Sequence, residues 1–123
     1  MMDYRVDDYK SLIVWKKAMQ LAKETYVLSQ KLPKNERYAL TDQIRRSAIS
    51  IPSNIAEGYG RTGRKEYARF LSIARGSSYE LETQLLLCVE LGYFQENDLV
   101  SVFDLINDIA KILTRILQKL GNG

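Results

Sequence analysis

Gly58-Tyr59-Gly60-Arg61-Thr62-Gly63 matches GxGxxG letter for letter. In a dinucleotide-binding unit such glycines let the backbone approach a pyrophosphate. That chemistry needs a strand before the run, a helix after it and a parallel sheet around it. Here helical patterning precedes the run and no further strands exist to build a sheet. The six residues therefore read as a link between two helices, with glycine used where φ is positive. No Walker A sequence occurs, so neither an NAD nor an ATP site is expected.

Charge surrounds this link. Over residues 61–75 the five basic side chains Arg61, Arg64, Lys65, Arg69 and Arg75 are opposed only by Glu66. Guanidinium groups bind phosphate bidentately, and the first amides of a helix favour anions. The chemistry these residues offer is a footprint on the phosphate backbone of RNA or DNA, indifferent to sequence and sensitive to salt. The alternative is an ordinary solvated face with local pairs, such as Arg75 with Tyr79 or Glu82. Lys16, Lys17 and Lys23 form a second basic stretch, within a segment (10–32) that holds five basic residues and one acidic one.

A polar line of Gln43, Ser47, Ser50, Asn54, Glu57 and Arg61 faces Ser77, Glu80 and Gln84. Glu57 paired with Glu80 or Glu82 has the residue types for acid–base or di-metal work. Di-iron bundles, however, use Glu-x-x-His, and histidine is absent from all 123 residues. Asn54, Glu57, Ser77, Glu80 and Glu82 are accordingly expected to form a structural seam, with Glu57 and Glu82 as buried or half-buried acceptors fixing helix register. The absence of histidine also excludes imidazole triads, HExxH proteases and His-ligated zinc or haem. Cys88 is the sole cysteine, which excludes a disulfide framework and CxxC motifs. It falls in phase with an apolar face, so an inert thiol is expected. The composition points to a non-enzymatic protein with no cofactor and no metal.

The elements that would position these residues are helical. Leu12, Trp15, Met19, Ala22 and Tyr26 place a first helix over 12–31, with Ser11 as N-cap and Trp15 as a core plug. Leu32-Pro33-Lys34-Asn35 breaks it. A second helix starts near Glu36 on Leu40, Ile44, Ala48, Ile51 and Ile55. Thr62 is the expected N-cap of a third, carrying Tyr67, Phe70, Leu71, Ala74, Ser78, Leu81, Leu85 and Cys88 until Gly92-Tyr93-Phe94 closes it. A fourth runs from about Glu96 to Leu120 on Leu99, Val102, Phe103, Ile106, Ile109, Leu113, Ile116 and Leu120. This is an all-α pattern, an antiparallel up-down four-helix bundle in a single domain, with tails at 1–10 and 121–123. Pro52 lies inside the second helix, where a kink is expected; a short strand Ile49-Ser50-Ile51 ending at Pro52 competes with that reading.

Two helices carry more apolar surface than one core face needs. Leu86 and Leu87 flank the stripe of the third helix, and Leu105 and Ile112 form a second line on the fourth. Either they widen the core or another subunit covers them; excess on two helices favours self-association. The longest apolar run, residues 85–89, is far short of the ~20 residues that cross a bilayer. No secretory h-region opens the chain. A cytoplasmic protein with no membrane association is expected. The formal charge of +3 matters less than its distribution.

Several segments are recognisable. Ile13-Val14-Trp15-Lys16-Lys17-Ala18-Met19, Pro33-Lys34-Asn35-Glu36-Arg37-Tyr38 and Gln43-Ile44-Arg45-Arg46-Ser47-Ala48 resemble the bacterial 23S rRNA intervening-sequence proteins. So do Ser50-Ile51-Pro52-Ser53-Asn54-Ile55-Ala56-Glu57-Gly58-Tyr59-Gly60-Arg61, Phe70-Leu71-Ser72-Ile73-Ala74-Arg75-Gly76-Ser77 and Glu80-Leu81-Glu82-Thr83-Gln84-Leu85. The resemblance spans about residues 10–120. It implies a four-helix bundle assembled as a homopentameric ring. That fold is similar to the accessory protein of diversity-generating retroelements, a basic pentamer that works with a reverse transcriptase and nucleic acid. No catalytic residue set comes with the family. The resulting expectation is an oligomeric bundle that binds nucleic acid, structured RNA first, through Arg61, Arg64, Lys65 and Arg69, with Lys16, Lys17 and Lys23 in second rank. The competing reading is an interaction scaffold whose arginines pair with a neighbouring subunit or a polymerase.

Overall fold

The structure, a computed structural model, describes residues 8–121. Four helices dominate it: α1 (Ile13–Ser29), α2 (Leu40–Tyr59), α3 (Arg64–Glu90) and α4 (Val100–Lys119), with short 3-10 turns at Tyr9–Ser11, Lys34–Glu36 and Glu96–Leu99. Among the described residues there is no strand. The Ile49-Ser50-Ile51 alternative falls, because α2 runs unbroken through Pro52. Residues 1–7 and 122–123 of the expected tails lie outside the described residues. Residues 8–10 are not tail-like: Asp8 caps the first 3-10 turn through Lys10 N–H, and the Tyr9 ring meets Trp15 edge-on at 5.3 Å.

Each helix packs on two neighbours, α1 on α2 and α4, α3 on α2 and α4, with the widest interface between α2 and α3. Contacts run in opposite senses along the pairs. Lys17 meets Asp108 while Glu24 meets Ser101, and Ser50 meets Ser77 while Gly58 approaches Phe70. The apolar stripes of α2, α3 and α4 face the core, with Ile44, Ile51, Ile55, Leu71, Leu81, Leu85, Ile106, Ile109 and Leu113 almost fully enclosed and Leu40, Tyr67, Phe70, Phe103, Ile116 and Leu120 only half-buried. Each such side chain contributes ~1.5–3 kcal/mol by leaving water.

The face of α1 differs from expectation by one position. Val14, Ala18, Leu21, Thr25 and Ser29 are buried, while Trp15 and Ala22 are half-buried and Met19 and Tyr26 are exposed. Ala18, Thr25 and Ser29 let a neighbouring helix approach and Val14 and Leu21 fill the space between them, while Trp15, Met19 and Tyr26 sit beside this face. The caps also differ. Ser11 belongs to the first 3-10 turn, and α1 begins at Leu12 without a side-chain cap. A turn over Lys34–Glu36 delays α2 to Leu40. Gly63, not Thr62, caps α3. Gly92, with φ +81°, turns the chain out of α3, and Phe94 is buried behind it. No helix of the described residues is long and apolar enough to cross a membrane.

Candidate nucleic-acid interface at the α2–α3 corner

Three glycines of the GxGxxG run do three different jobs. Gly58 is buried inside α2, where a Cβ would stand 2.7 Å from the Phe70 Cβ. Its role is close helix approach, not a turn. Gly60 ends α2 in ordinary right-handed geometry. Only Gly63 has positive φ, at 91° with ψ 143°. That conformation is nearly confined to glycine, and it turns the chain so that α3 starts at once with Arg64, Lys65 and Glu66.

The four first-rank cations are all exposed and are all brought to this corner, but they are not equivalent. Arg61 bonds Glu57 at 2.6 Å, one helical turn back. Arg69 bonds both oxygens of Glu66 at 3.3 Å. The Arg69 hydrogen bond and charge hold the Glu66 carboxyl below its ordinary range. Both guanidiniums also lie against the Phe70 ring, 5.2 Å and 4.5 Å from its centroid, an arrangement that orients an arginine while leaving part of its donor fork open. Arg64 and Lys65 form no ion pair among the described residues. Two anchored arginines thus flank two cations without a salt bridge beside the uncapped amides of a 27-residue helix. Tyr59 and Tyr67 stack edge-on at 6.0 Å beneath them; burial, and then Tyr59, pushes the Tyr67 phenol up.

Arg75 does not join the patch. It donates to the Thr114 hydroxyl at 3.1 Å, tying α3 to α4, and not to Tyr79 or Glu82. The second-rank lysines do not extend the patch either. Lys17 is paired with Asp108 at 3.1 Å. Lys16 and Lys23 are exposed on α1, on the side away from its buried face, and α1 sits across the bundle from α3, packed on α2 and α4.

The polar seam is shorter than the sequence suggests. Ser50 and Ser77 share a 2.8 Å hydrogen bond, and Asn54 donates to the Ser50 carbonyl and hydroxyl. Glu57 is exposed and belongs to Arg61; Glu80 is exposed and Glu82 half-buried. With Gly58 level with Phe70, Glu80 and Glu82 lie ~15 and ~18 Å farther along α3 than Glu57, at 1.5 Å per residue. The carboxylates that sequence reading pairs do not meet. Cys88 is fully buried, and burial first, then the charge of Glu36, pushes its thiol up to about 11.

The excess apolar residues divide. Leu105 and Ile112 pack against the core and widen it, whereas Leu86 and Leu87 each remain 47% exposed on the outside of α3. The sequence reading missed Phe70 as the surface that holds Arg61 and Arg69; the signal was its position nine residues after one arginine and one after the other, on the half-exposed flank of α3.

Comparison with known proteins agrees with this architecture. A crystal structure of a protein of unknown function from the S23 ribosomal protein family of Bacteroides thetaiotaomicron matches with a TM-score of 0.78 at 28% identity, covering 85% of this chain and 98% of that one. No curated protein matches. The family model for the 23S rRNA-intervening sequence protein matches residues 10–115. That span takes in all of α1, α2 and α3 and most of α4, and the chain belongs to the 23S rRNA-intervening sequence protein family.

Proposed function

We propose that this protein is a non-enzymatic RNA-binding bundle that grips the phosphate backbone of structured RNA at the α2–α3 corner. The observation that carries the reading is the pair Arg64 and Lys65, which form no salt bridge among the described residues, at the uncapped start of α3 between two anchored arginines. Cations in this state attract phosphate by Coulomb force and counterion release, with no dependence on base sequence. The family's name, which refers to 23S rRNA, supports RNA as the nucleic acid. Arg61 and Arg69 contribute through whatever donors their carboxylate partners leave free.

Self-association is part of the proposal. Leu86 and Leu87 present apolar surface on α3 that the subunit itself does not cover, and a ring of subunits, five by family resemblance, multiplies a modest patch by avidity. A cytoplasmic setting, and a polymerase or reverse transcriptase acting on the same RNA, fit the same scheme.

The test is fluorescence anisotropy with a labelled RNA hairpin at low salt. Arg64→Glu/Lys65→Glu should weaken binding by at least tenfold, equally for unrelated hairpins. Failure of the wild-type protein to bind at low salt, or an unchanged affinity in the double variant, overturns the reading.

A further inference from the structure

The opposite end of the bundle, where α1 gives way to α2, holds a cleft of about 500 Å³ lined by Ser29, Pro33, Lys34, Arg37, Tyr38 and Arg45 among others, none of them acidic. Residues 31–46 carry Lys31, Lys34, Arg37, Arg45 and Arg46 against Glu36 and Asp42. Both carboxylates are engaged elsewhere: Glu36 accepts from the Tyr93 hydroxyl at 2.7 Å, and Asp42 pairs with Arg46 at 3.0 Å. Lys31, Lys34, Arg37 and Arg45 are left without a carboxylate among the described residues. Five basic against two acidic side chains leave residues 31–46 with a net charge of +3.

Arg45 is built into position. Its Nε donates to Ser29 Oγ at 2.8 Å, and Ser29, buried, donates in turn to the Tyr26 carbonyl. Its guanidinium lies 5.0 Å from the Tyr26 ring centroid. Its two terminal nitrogens have no protein partner, so a bidentate donor pair stands ready beside the cleft. At the rim, Tyr38 is 87% exposed, more than any other large hydrophobic side chain among the described residues, with the Arg37 guanidinium 5.7 Å from its ring centroid. An exposed tyrosine backed by an arginine is a stacking surface for a planar base.

We propose that this cleft takes one nucleotide unit, its phosphate held by Arg45 with Lys34 and Arg37, its base stacked on Tyr38. The site goes beyond the backbone footprint at the α2–α3 corner and stands independently of it, because its residues, its end of the bundle and its stacking chemistry are different. The phosphate-plus-base chemistry is shared by a free nucleotide and by an unpaired segment of RNA, and the two are separated by competition.

The experiment is anisotropy of a fluorescein-labelled single-stranded RNA pentamer on the full chain. Tyr38→Ala should weaken binding roughly tenfold, on the scale of one lost base stack. Tyr38→Phe should retain it, since the ring and not the hydroxyl does the work. Arg37→Glu should weaken it, and Lys111→Glu, an exposed cation midway along α4 and outside both basic regions, should leave it within twofold. Tyr38 and Arg37 are exposed, so these variants keep the fold, which far-ultraviolet circular dichroism checks. Competition by AMP at the pentamer's own concentration range assigns a free nucleotide; competition only by unlabelled pentamer assigns an RNA strand. Wild-type affinity in Tyr38→Ala, equal losses in the Ala and Phe variants, or a loss in Lys111→Glu equal to that in Arg37→Glu overturns the proposal. The last outcome would make pentamer binding a matter of net charge alone.

Discussion

At Gly58 the distance to Phe70 sets what the position tolerates. Alanine is the better helix former by ~1 kcal/mol, but its methyl would meet the Phe70 Cβ at 2.7 Å and Tyr67 at 3.2 Å. Overpacking of this kind costs ~1–3 kcal/mol, and the Phe70 Cβ and the Tyr67 carbonyl oxygen, at 3.3 Å, cannot move without the backbone, so the clash should win. Gly58→Ala is expected to lower Tm by several degrees in a thermal melt; a rise would show that α2 and α3 can separate there without cost. Cys88 offers a second measurement. Its native thiol titrates near 11, above the ~8.5 of an unfolded cysteine. The stabilisation from keeping it protonated is complete below the unfolded value and is lost as pH rises through about 11. Native protein at pH 8 should resist iodoacetamide and react quickly in urea, and urea unfolding should show stability falling between about pH 9 and 11. Sequence phase sufficed to place Cys88 in the core. It did not suffice for Glu57, whose partner Arg61 lies four residues away on the same helix: a local pair captured a carboxylate that a cross-helix seam seemed to need.

The helices were legible in proportion to how large their buried residues are. Ile44, Ile51 and Ile55 on α2, or Ile106, Ile109 and Leu113 on α4, announce a face by size and spacing together. On α1 the buried face includes Ala18, Thr25 and Ser29, residues that hydropathy does not weight. Trp15, Met19 and Tyr26 drew the stripe sideways. Helix starts were the least legible feature, because none of the four uses the side-chain cap that sequence rules look for. At the α2–α3 corner that absence is functional in the proposed scheme, since uncapped amides add to Arg64 and Lys65. The corner itself depends on Gly63 at φ 91°. Gly63→Ala has open space for its methyl but the wrong backbone, at a cost of order 1–3 kcal/mol. The expected result is a lower urea midpoint with an unchanged m-value, together with weaker RNA binding as the start of α3 is displaced. An unchanged midpoint would mean that the turn relaxes freely.

For the whole molecule, charge is arranged in two separate places, one at each end of the α2 rod, and neither was evident from the net +3. Residues 61–75 stood out because five basic residues meet a single acid there. The cleft at the other end was less evident, because Glu36 and Asp42 are interspersed among its five basic residues and only the structure shows them bonded to Tyr93 and Arg46. The outer face of α3 separates the corner from Leu86 and Leu87. If that face mediates the proposed assembly, light scattering should give a multiple of 14.2 kDa for the wild type and a monomer for Leu86→Asp/Leu87→Asp. A wild-type monomer would remove avidity from the account. Contact between RNA phosphates and the cations at the start of α3 is read out by the salt dependence of binding. For the wild-type protein, log K against log[salt] should fall linearly, and Arg64→Ala/Lys65→Ala should make the slope shallower by roughly 1.5–2, about one lost counterion per cation. An identical slope in the two proteins would mean that these side chains do not touch the backbone, and the account would be contradicted.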